Sequence, residues 1–327
     1  MKNPAEVRWG IIGCGDVCEV KSAPAMQKIP GSKLVAVMRR DAAKAADYAK
    51  RHQVPKWYSN AADLINDPEV NAIYIATPPD SHAEYTAMVA AAGKPVYVEK
   101  PMARSFDECQ AMIASCEAHQ VPLFVAYYRR SLPQFLKIKA LIEDQAIGEV
   151  RLVSLELFQS TDPDIVRGLD NNWRVDPAIA GGGYFYDLAS HQLDYLDYLF
   201  GPIEKAHGFK ANQAGLYQAE DLVTANFVFQ NGILGTGAWC FTAGKPAVKE
   251  ESKIIGSKGQ ITFHFFKDAK VTLETAAGKE VFDFNLPAHI QQPLIEQIVA
   301  QLLEKGTAPS NGVSAARTNW VMDQICR

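Results

Sequence analysis

Residues 7–18 read VRWGIIGCGDVC. The mainly apolar run Val7–Ile12 ends in glycine, as a buried strand does when it hands the chain to a turn. The turn itself is Gly13-Cys14-Gly15-Asp16-Val17-Cys18, a GxGxxC pattern. Gly13 permits the tight bend. Gly15 lets the backbone approach a pyrophosphate seated at the start of the following helix. The third position needs a small side chain for close helix–strand packing, and Cys18 is small enough. A glycine turn alone is weak evidence. Here a strand precedes it, a helix follows, and a second strand, Lys33–Met38, completes a βαβ unit of about thirty residues.

The pattern continues outward. Ala72–Thr77, Pro95–Glu99 and Leu123–Tyr128 read as further buried strands. Helices are expected over Asp16–Met26, Ala42–His52, Ser81–Ala92 and Phe106–His119. Buried strands alternating with helices predict a parallel sheet covered on both faces. Ser105 and Glu108 have capping-box spacing, and Gly93 stands where a helix C-cap belongs. Pro24 lacks an N–H and should kink or end the first helix near Ala23. Residues 1–127 are therefore expected to form a Rossmann dinucleotide-binding domain.

From residue 128 the rhythm changes. A helix at Pro133–Asp144, a strand at Val150–Phe158, an irregular stretch at Gln159–Gly183 and a helix at Tyr184–Phe200 come first. In the next strand, at Asp221–Gln230, Val223, Ala225, Phe227 and Phe229 share one face. Asn231-Gly232 joins it to Ile233–Phe241, a strong hairpin signal. Strands at Lys253–Ile255, Gln260–Phe266, Lys270–Glu274 and Lys279–Asn285 extend an antiparallel meander. Helices at Ile290–Lys305 and Ser314–Cys326 finish the chain. The expectation is a second α/β domain over 128–327, for substrate binding and oligomerisation.

The bulk composition excludes several classes. The 327 residues are 48% hydrophobic and 21% charged, with a net charge of −4, so no basic surplus points to nucleic acid. The N-terminus has no apolar signal core, and no run approaches the roughly 18 apolar residues of a membrane span. A cytoplasmic location is expected. The six cysteines, Cys14, Cys18, Cys109, Cys116, Cys240 and Cys326, form no CxxC pair. Reduced thiols and no metal site are expected.

The end of the second strand bears on the cofactor. An NAD-selective site usually places a carboxylate there for the ribose 2′-hydroxyl. This chain has Arg39 and Arg40. A guanidinium pairs bidentately with a 2′-phosphate and stacks on adenine. NADP(H) is expected in preference to NAD(H), which stays open as the alternative.

Several motifs together resemble the Gfo/Idh/MocA oxidoreductases: GIIGCGDVC at Gly10–Cys18, ATPPDSH at Ala76–His82, VEKPMA at Val98–Ala103, YYRR at Tyr127–Arg130, Trp173-Arg174, and GGGYFYDLASHQLDYL from Gly181. The resemblance runs almost the whole chain. It implies a Rossmann domain followed by an α/β domain with a large, open, mainly antiparallel sheet, and assembly as a homodimer or homotetramer. It implies that Lys100 touches the nicotinamide ribose and the reacting hydroxyl, that Asp187 and His191 are the catalytic pair, and that Arg174 contacts substrate. Thr77, Pro78, His82 and Glu99 fall where the cofactor's ribose and nicotinamide side would lie. Arg39 departs from the frequent Asp of the family's NAD form.

The residues support that chemistry on their own terms. Oxidising a secondary alcohol needs a base for the hydroxyl proton, and reduction needs the same group as an acid. Histidine suits both, with an unperturbed pKa of about 6.5. Asp187 and His191 are four apart on one expected helix and so share a face. Lys100 offers positive charge at the carboxyl end of a strand, the usual ligand edge of a doubly wound sheet. Gly181–Gly183 is expected to let a substrate approach the helix start. Tyr128 and Arg129 are candidates to line the substrate site, whereas Asp194 and Asp197 are expected to be solvated or paired locally. The function expected is hydride transfer between a nicotinamide and a secondary alcohol or carbonyl of a sugar, cyclitol or related polyol. The alternatives are a non-catalytic cofactor- or sugar-sensing regulator on the same fold, or a redox-assisted glycosidase or lyase that retains its cofactor.

Overall fold

The computed structural model describes residues 5–161 and 172–327. Of the irregular stretch expected at 159–183, residues 162–171 lie outside the described residues. The strands are β1 (Val7–Ile12), β2 (Ser32–Met38), β3 (Lys56–Tyr58), β4 (Ala72–Ile75), β5 (Val96–Val98), β6 (Leu123–Val125), β7 (Val150–Phe158), β8 (Ile203–Ala211), β9 (Leu222–Phe229), β10 (Leu234–Cys240), β11 (Lys249–Gly256), β12 (Gly259–Phe263), β13 (Lys270–Thr275) and β14 (Gly278–Asp283). The helices are α1 (Asp16–Val20), α2 (Ala23–Lys28), α3 (Ala42–Arg51), α4 (Ala61–Asn66), α5 (His82–Ala91), α6 (Phe106–Ala118), α7 (Pro133–Glu143), α8 (Pro177–Ala180), α9 (Ser190–Phe200), α10 (Gln292–Leu302) and α11 (Gly312–Ile325). None is long and apolar enough to cross a membrane among the described residues.

The chain divides into two compact units. The first comprises the residues up to Ser131 together with Pro287–Ala316. Its six strands are parallel, in the order β3-β2-β1-β4-β5-β6. This is the doubly wound order with its topological switch between β1 and β4. Successive residues alternate between two cores. Ile73, Ile75, Val96 and Val98 join one, and Ala72, Tyr74 and Tyr97 join the other. The expected first helix is two helices. α1 ends at Val20, and Pro24 sits in the first turn of α2, where a missing N–H costs nothing. Ser105 caps α6 by accepting from Glu108 N, while the Glu108 carboxylate reaches back to Arg104 N rather than to the cap residue itself.

The expected boundary, with everything after residue 127 in a second domain, is corrected by α10. Leu294, Ile295, Ile298 and Val299 form an apolar stripe, and it joins the core that holds Trp9, Tyr74 and Tyr97. Burying that stripe ties residues 287–316 to the Rossmann unit.

The second unit comprises residues 132–286 and 317–327. Its sheet runs β14-β13-β12-β11-β7-β10-β9-β8. Neighbours are antiparallel except β7 and β10, which are parallel because β7 takes the central place between two meanders. One face is buried: Val153, Leu155, Leu157, Val223, Phe227, Trp239, Ile254 and Phe263 lie there. Trp239 Nε1 donates to Gln192 Oε1 of α9 at 2.6 Å. The register puts Thr224, Ala238 and Phe209 on the opposite face. Asp194 and Asp197 of α9, expected to be solvated or paired locally, are buried and bonded to residues over a hundred positions away. Asp197 accepts from Arg317 Nε at 2.8 Å and from Ile203 N, and Asp194 from Thr318 Oγ1.

Candidate active site

In the first unit the expected cofactor residues gather at the carboxyl ends of β1, β2, β4 and β5. Gly13 N and Cys14 N donate to Met38 O at 2.9 and 3.3 Å, folding the turn over the end of β2. Gly13 has φ +87°, and a Cβ there would lie 2.6 Å from Thr77 Cγ2, so only glycine fits. A Cβ on Gly15 would meet nothing closer than Gly13 O at 3.9 Å. The protein leaves the space over Gly15 empty, which is the approach a pyrophosphate needs. Asp16 and Val17 follow as the start of α1. Cys14 is buried, and burial pushes its thiol up to about 11, so only its backbone serves the turn. Cys18 packs in the core and its carbonyl accepts from Tyr48 Oη at 2.7 Å.

Arg39 lies against this turn, with Nη1 donating to Cys14 O at 3.4 Å. Arg40 beside it is exposed. Asp41 is the nearest carboxylate in sequence, and it is spent as the α3 cap, accepting from Lys44 N at 3.1 Å. Thr77 Oγ1 accepts from Ser81 Oγ at 2.8 Å, and Pro78 leads the 3-10 turn Pro79–Ser81.

His82 differs from expectation. Its side chain is fully buried, with Nε2 2.7 Å from Thr77 O and Nδ1 3.1 Å from Met102 O. Burial lowers its pKa, favouring the neutral ring. The imidazole braces the loop after β4 against the loop after β5, so its influence on a cofactor passes through those loops. Glu99 is also buried. Its Oε1 accepts from Tyr74 Oη and from Gln291 Nε2 (2.7 Å), and its Oε2 from Lys100 N (3.1 Å). Oε2 retains lone-pair capacity for a ribose hydroxyl. Gln291, which also accepts from Tyr97 Oη at 2.8 Å, was not legible as a site residue. It lies nearly two hundred residues on, at the start of α10, and no local motif marks it.

Lys100 is half-buried at the end of the β5 segment, and its peptide bond to Pro101 is cis. Tyr128 and Arg129 form a pair. Arg129 Nη1 donates to Tyr128 Oη at 2.8 Å, and its guanidinium sits 5.1 Å from the ring centroid. The neighbouring Arg130 is a structural tie, buried and donating to Pro309 O and Ser314 Oγ.

In the second unit Asn172 Oδ1 accepts from Arg174 N, and Asn172 Nδ2 donates to Tyr184 Oη at 2.6 Å. Arg174 lies 4.5 Å over the Trp173 ring, and its Nε is 3.3 Å from Asp187 Oδ2. The structure thus brings together the two residues thirteen apart in sequence. The expected continuous α-helix is corrected. Phe185–Ala189 is a π-helical turn carrying Asp187, and α9 begins at Ser190. Single π turns inside helices recur at functional sites. His191 is 3% exposed and meets the Phe266 ring edge-to-face at 6.1 Å. Of the expected approach triplet Gly181–Gly183, Gly182 and Gly183 leave no such room. A Cβ on Gly182 would lie 2.5 Å from Tyr186 Cδ2 and 2.8 Å from Glu220 Oε1, and one on Gly183 2.7 Å from Ala219 Cβ. The protein itself fills that space.

Residues 7–127 match the family model described as the oxidoreductase family with an NAD-binding Rossmann fold, and residues 135–262 match the GFO/IDH/MocA C-terminal domain. The chain belongs to the Gfo/Idh/MocA oxidoreductase family. Among its relatives, "Oxidoreductase P35" of Formosa agariphila is 39% identical over 324 residues, covering 98% of this chain and 99% of that protein. A 1,5-anhydro-D-fructose reductase of Ensifer adhaerens is 24% identical, covering 93% and 91%. A levoglucosan dehydrogenase solved with NADH and levoglucosan has a TM-score of 0.85 at 22% identity, covering 98% of this chain and 96% of that one. At that identity the likeness is one of fold. As a Gfo/Idh/MocA oxidoreductase the chain has both of the family's sheets, and its first unit carries the family's NAD-binding Rossmann fold.

Proposed function

We propose that this oxidoreductase uses NADP(H) to interconvert a secondary alcohol and a carbonyl on a sugar, cyclitol or related polyol. The cofactor preference is carried by Arg39, a guanidinium laid on the glycine turn with the neighbouring carboxylate of Asp41 committed to capping α3. A 2′-phosphate at that turn would meet the Arg39 guanidinium, with Arg40 exposed beside it. The substrate class is supported by the kind of chemistry the named relatives perform on sugars.

When bound, the nicotinamide supplies or accepts the hydride. The protein handles the proton. His191 takes the hydroxyl proton in oxidation and returns it in reduction. Asp187, held by Arg174, orients the reacting group, and Lys100 stabilises negative charge on the oxygen and relays the proton. Glu99 Oε2 and Thr77 Oγ1 hold the ribose side, and Tyr128 and Arg129 line the substrate.

The test is a matrix of NADP+ and NAD+ against aldoses, cyclitols and dihydrodiols, followed by nicotinamide absorbance, for the wild type, His191→Ala and Lys100→Met. Expected is a higher kcat/KM with NADP+, and losses of about 10²–10⁴ in kcat for His191→Ala. Equal or better use of NAD+ sinks the cofactor preference, and full turnover in either variant removes that residue's role.

The open face of the second sheet exposes Leu234 (54%) and Phe209 (75%), apolar surface that a monomer would leave in water. We infer a homodimer or homotetramer packed through this face. Sedimentation of the wild type and Leu234→Glu should show an oligomer that the charge weakens; a monomeric wild type refutes it.

A further inference from the structure

We propose that Glu250 is a positioning residue for the His191 imidazole, acting through Phe266. The inference rests on the reading of His191 as the proton-handling group. Glu250 stands near the start of β11, on the face it shares with the buried Ser252 and Ile254. Its carboxylate gathers three consecutive backbone donors of the turn between β12 and β13: Oε1 accepts from Phe265 N and Phe266 N (2.9 Å), and Oε2 from Lys267 N (2.8 Å). Three N–H groups on one carboxylate fix the backbone of a turn far more firmly than a single contact would. The far half of the turn is closed separately. Asp268 Oδ1 accepts from Lys270 N at 3.0 Å and pairs with His264 Nδ1 at 2.9 Å.

The two phenylalanines of this turn go to different places. Phe265 is buried and packs on Phe135 (5.1 Å) and Tyr195 (6.0 Å), so ordinary core contacts hold it. Phe266 sets its ring edge-to-face with His191 at 6.1 Å. Phe266 also borders a cavity of about 520 Å³ that Gln159, His264 and Lys267 line as well. The ring's place depends on its backbone as well as on its contacts with Phe265 (6.3 Å) and His191. That backbone is what Glu250 clamps. A displacement of about 1 Å in a catalytic group is enough to cost up to a hundredfold in rate, so a carboxylate that never touches substrate acts on the reaction by holding the ring that holds the imidazole.

The test uses the full chain with ¹³C-labelled histidine rings. The His191 signal among the seven histidines is assigned by its loss in His191→Gln. The Phe266 ring current displaces that signal. Phe266→Leu and Glu250→Ala should both move it in the same direction, Phe266→Tyr should leave it near the wild-type place, and Glu250→Gln, which keeps one acceptor oxygen, should fall between. In turnover, with the best polyol of the matrix above, Glu250→Ala should lower kcat about tenfold with little change in KM. If Glu250→Ala does not fold, Glu250→Gln and Phe266→Leu carry the test. A His191 signal unmoved in the Glu250 variants overturns the proposal, as does one that moves there but not in Phe266→Leu. Full turnover in His191→Ala would instead bring down the proton-handling role, an outcome the ring signal does not depend on.

Discussion

Two glycine clusters open helical segments in this protein, and they are glycine for opposite reasons. At Gly13–Gly15 the protein approaches from below. Gly13 is pressed against Thr77, while the space above Gly15 is left empty. At Gly182–Gly183 the protein occupies the space itself, with Tyr186, Glu220 and Ala219 within 3 Å of where Cβ atoms would stand. The sequence pattern of the two is alike, glycines just ahead of a helix. What separates a ligand-facing glycine from a packing glycine is whether the chain's own atoms fill the missing Cβ.

The largest effect that would break this contrast is at Gly182. In Gly182→Val a branched side chain enters space held by the Tyr186 ring, and overpacking of this kind costs about 2–3 kcal/mol. Urea unfolding should show that loss, while cofactor binding by the folded fraction stays near wild type. A variant as stable as the wild type would mean that Gly182 is not a packing device. Gly15→Val is the complement. It should leave stability within about 1 kcal/mol. It should weaken dinucleotide binding about 10–100-fold, the equivalent of one or two charge-assisted hydrogen bonds lost. Calorimetric titration with NADP+ measures it, and unchanged affinity would remove the phosphate from the turn.

The contrast also explains what the sequence made legible. The glycine turn, the buried strands of the first sheet and the Asn231-Gly232 hairpin follow local rules, and each was readable. β3 and α4 are too short to show a period. β8 (IEKAHGFKA) is mostly exposed and lacks an apolar alternation. The π turn at Asp187 was missed because FYDLA carries the same residues an α-helix would accept. The apolar stripe of α10 was visible, but not that it returns to the Rossmann core, since that depends on a surface far away in sequence. For the same reason Gln291 and Glu250, which act over long sequence separations, carry no signal in their neighbours.

The smallest expected effect concerns how the two regions are held. Gly182 and Gly183 are fixed by packing. The turn at Gly15 is open on its ligand side, and α1 behind it is tied to α3 by charge. Arg51 grips both oxygens of Glu19 at 2.8 Å, and His52 Nε2 adds a contact at 2.7 Å. The Arg51 hydrogen bond is the leading reason the Glu19 carboxyl drops from 4.5 to about 2. A carboxylate with a depressed pKa in the folded state stabilises it fully above the unfolded value, and that contribution is lost as pH falls through the folded value. The window is therefore between about pH 4.5 and 2. Because the pair is solvent-screened, its contribution is small. Over that window the wild type should lose more stability than Glu19→Gln, and the two unfolding curves should meet near the acid end. Curves that run parallel would show that α1 is held by packing after all, and the distinction between the two glycine clusters would then rest on the empty space over Gly15 alone.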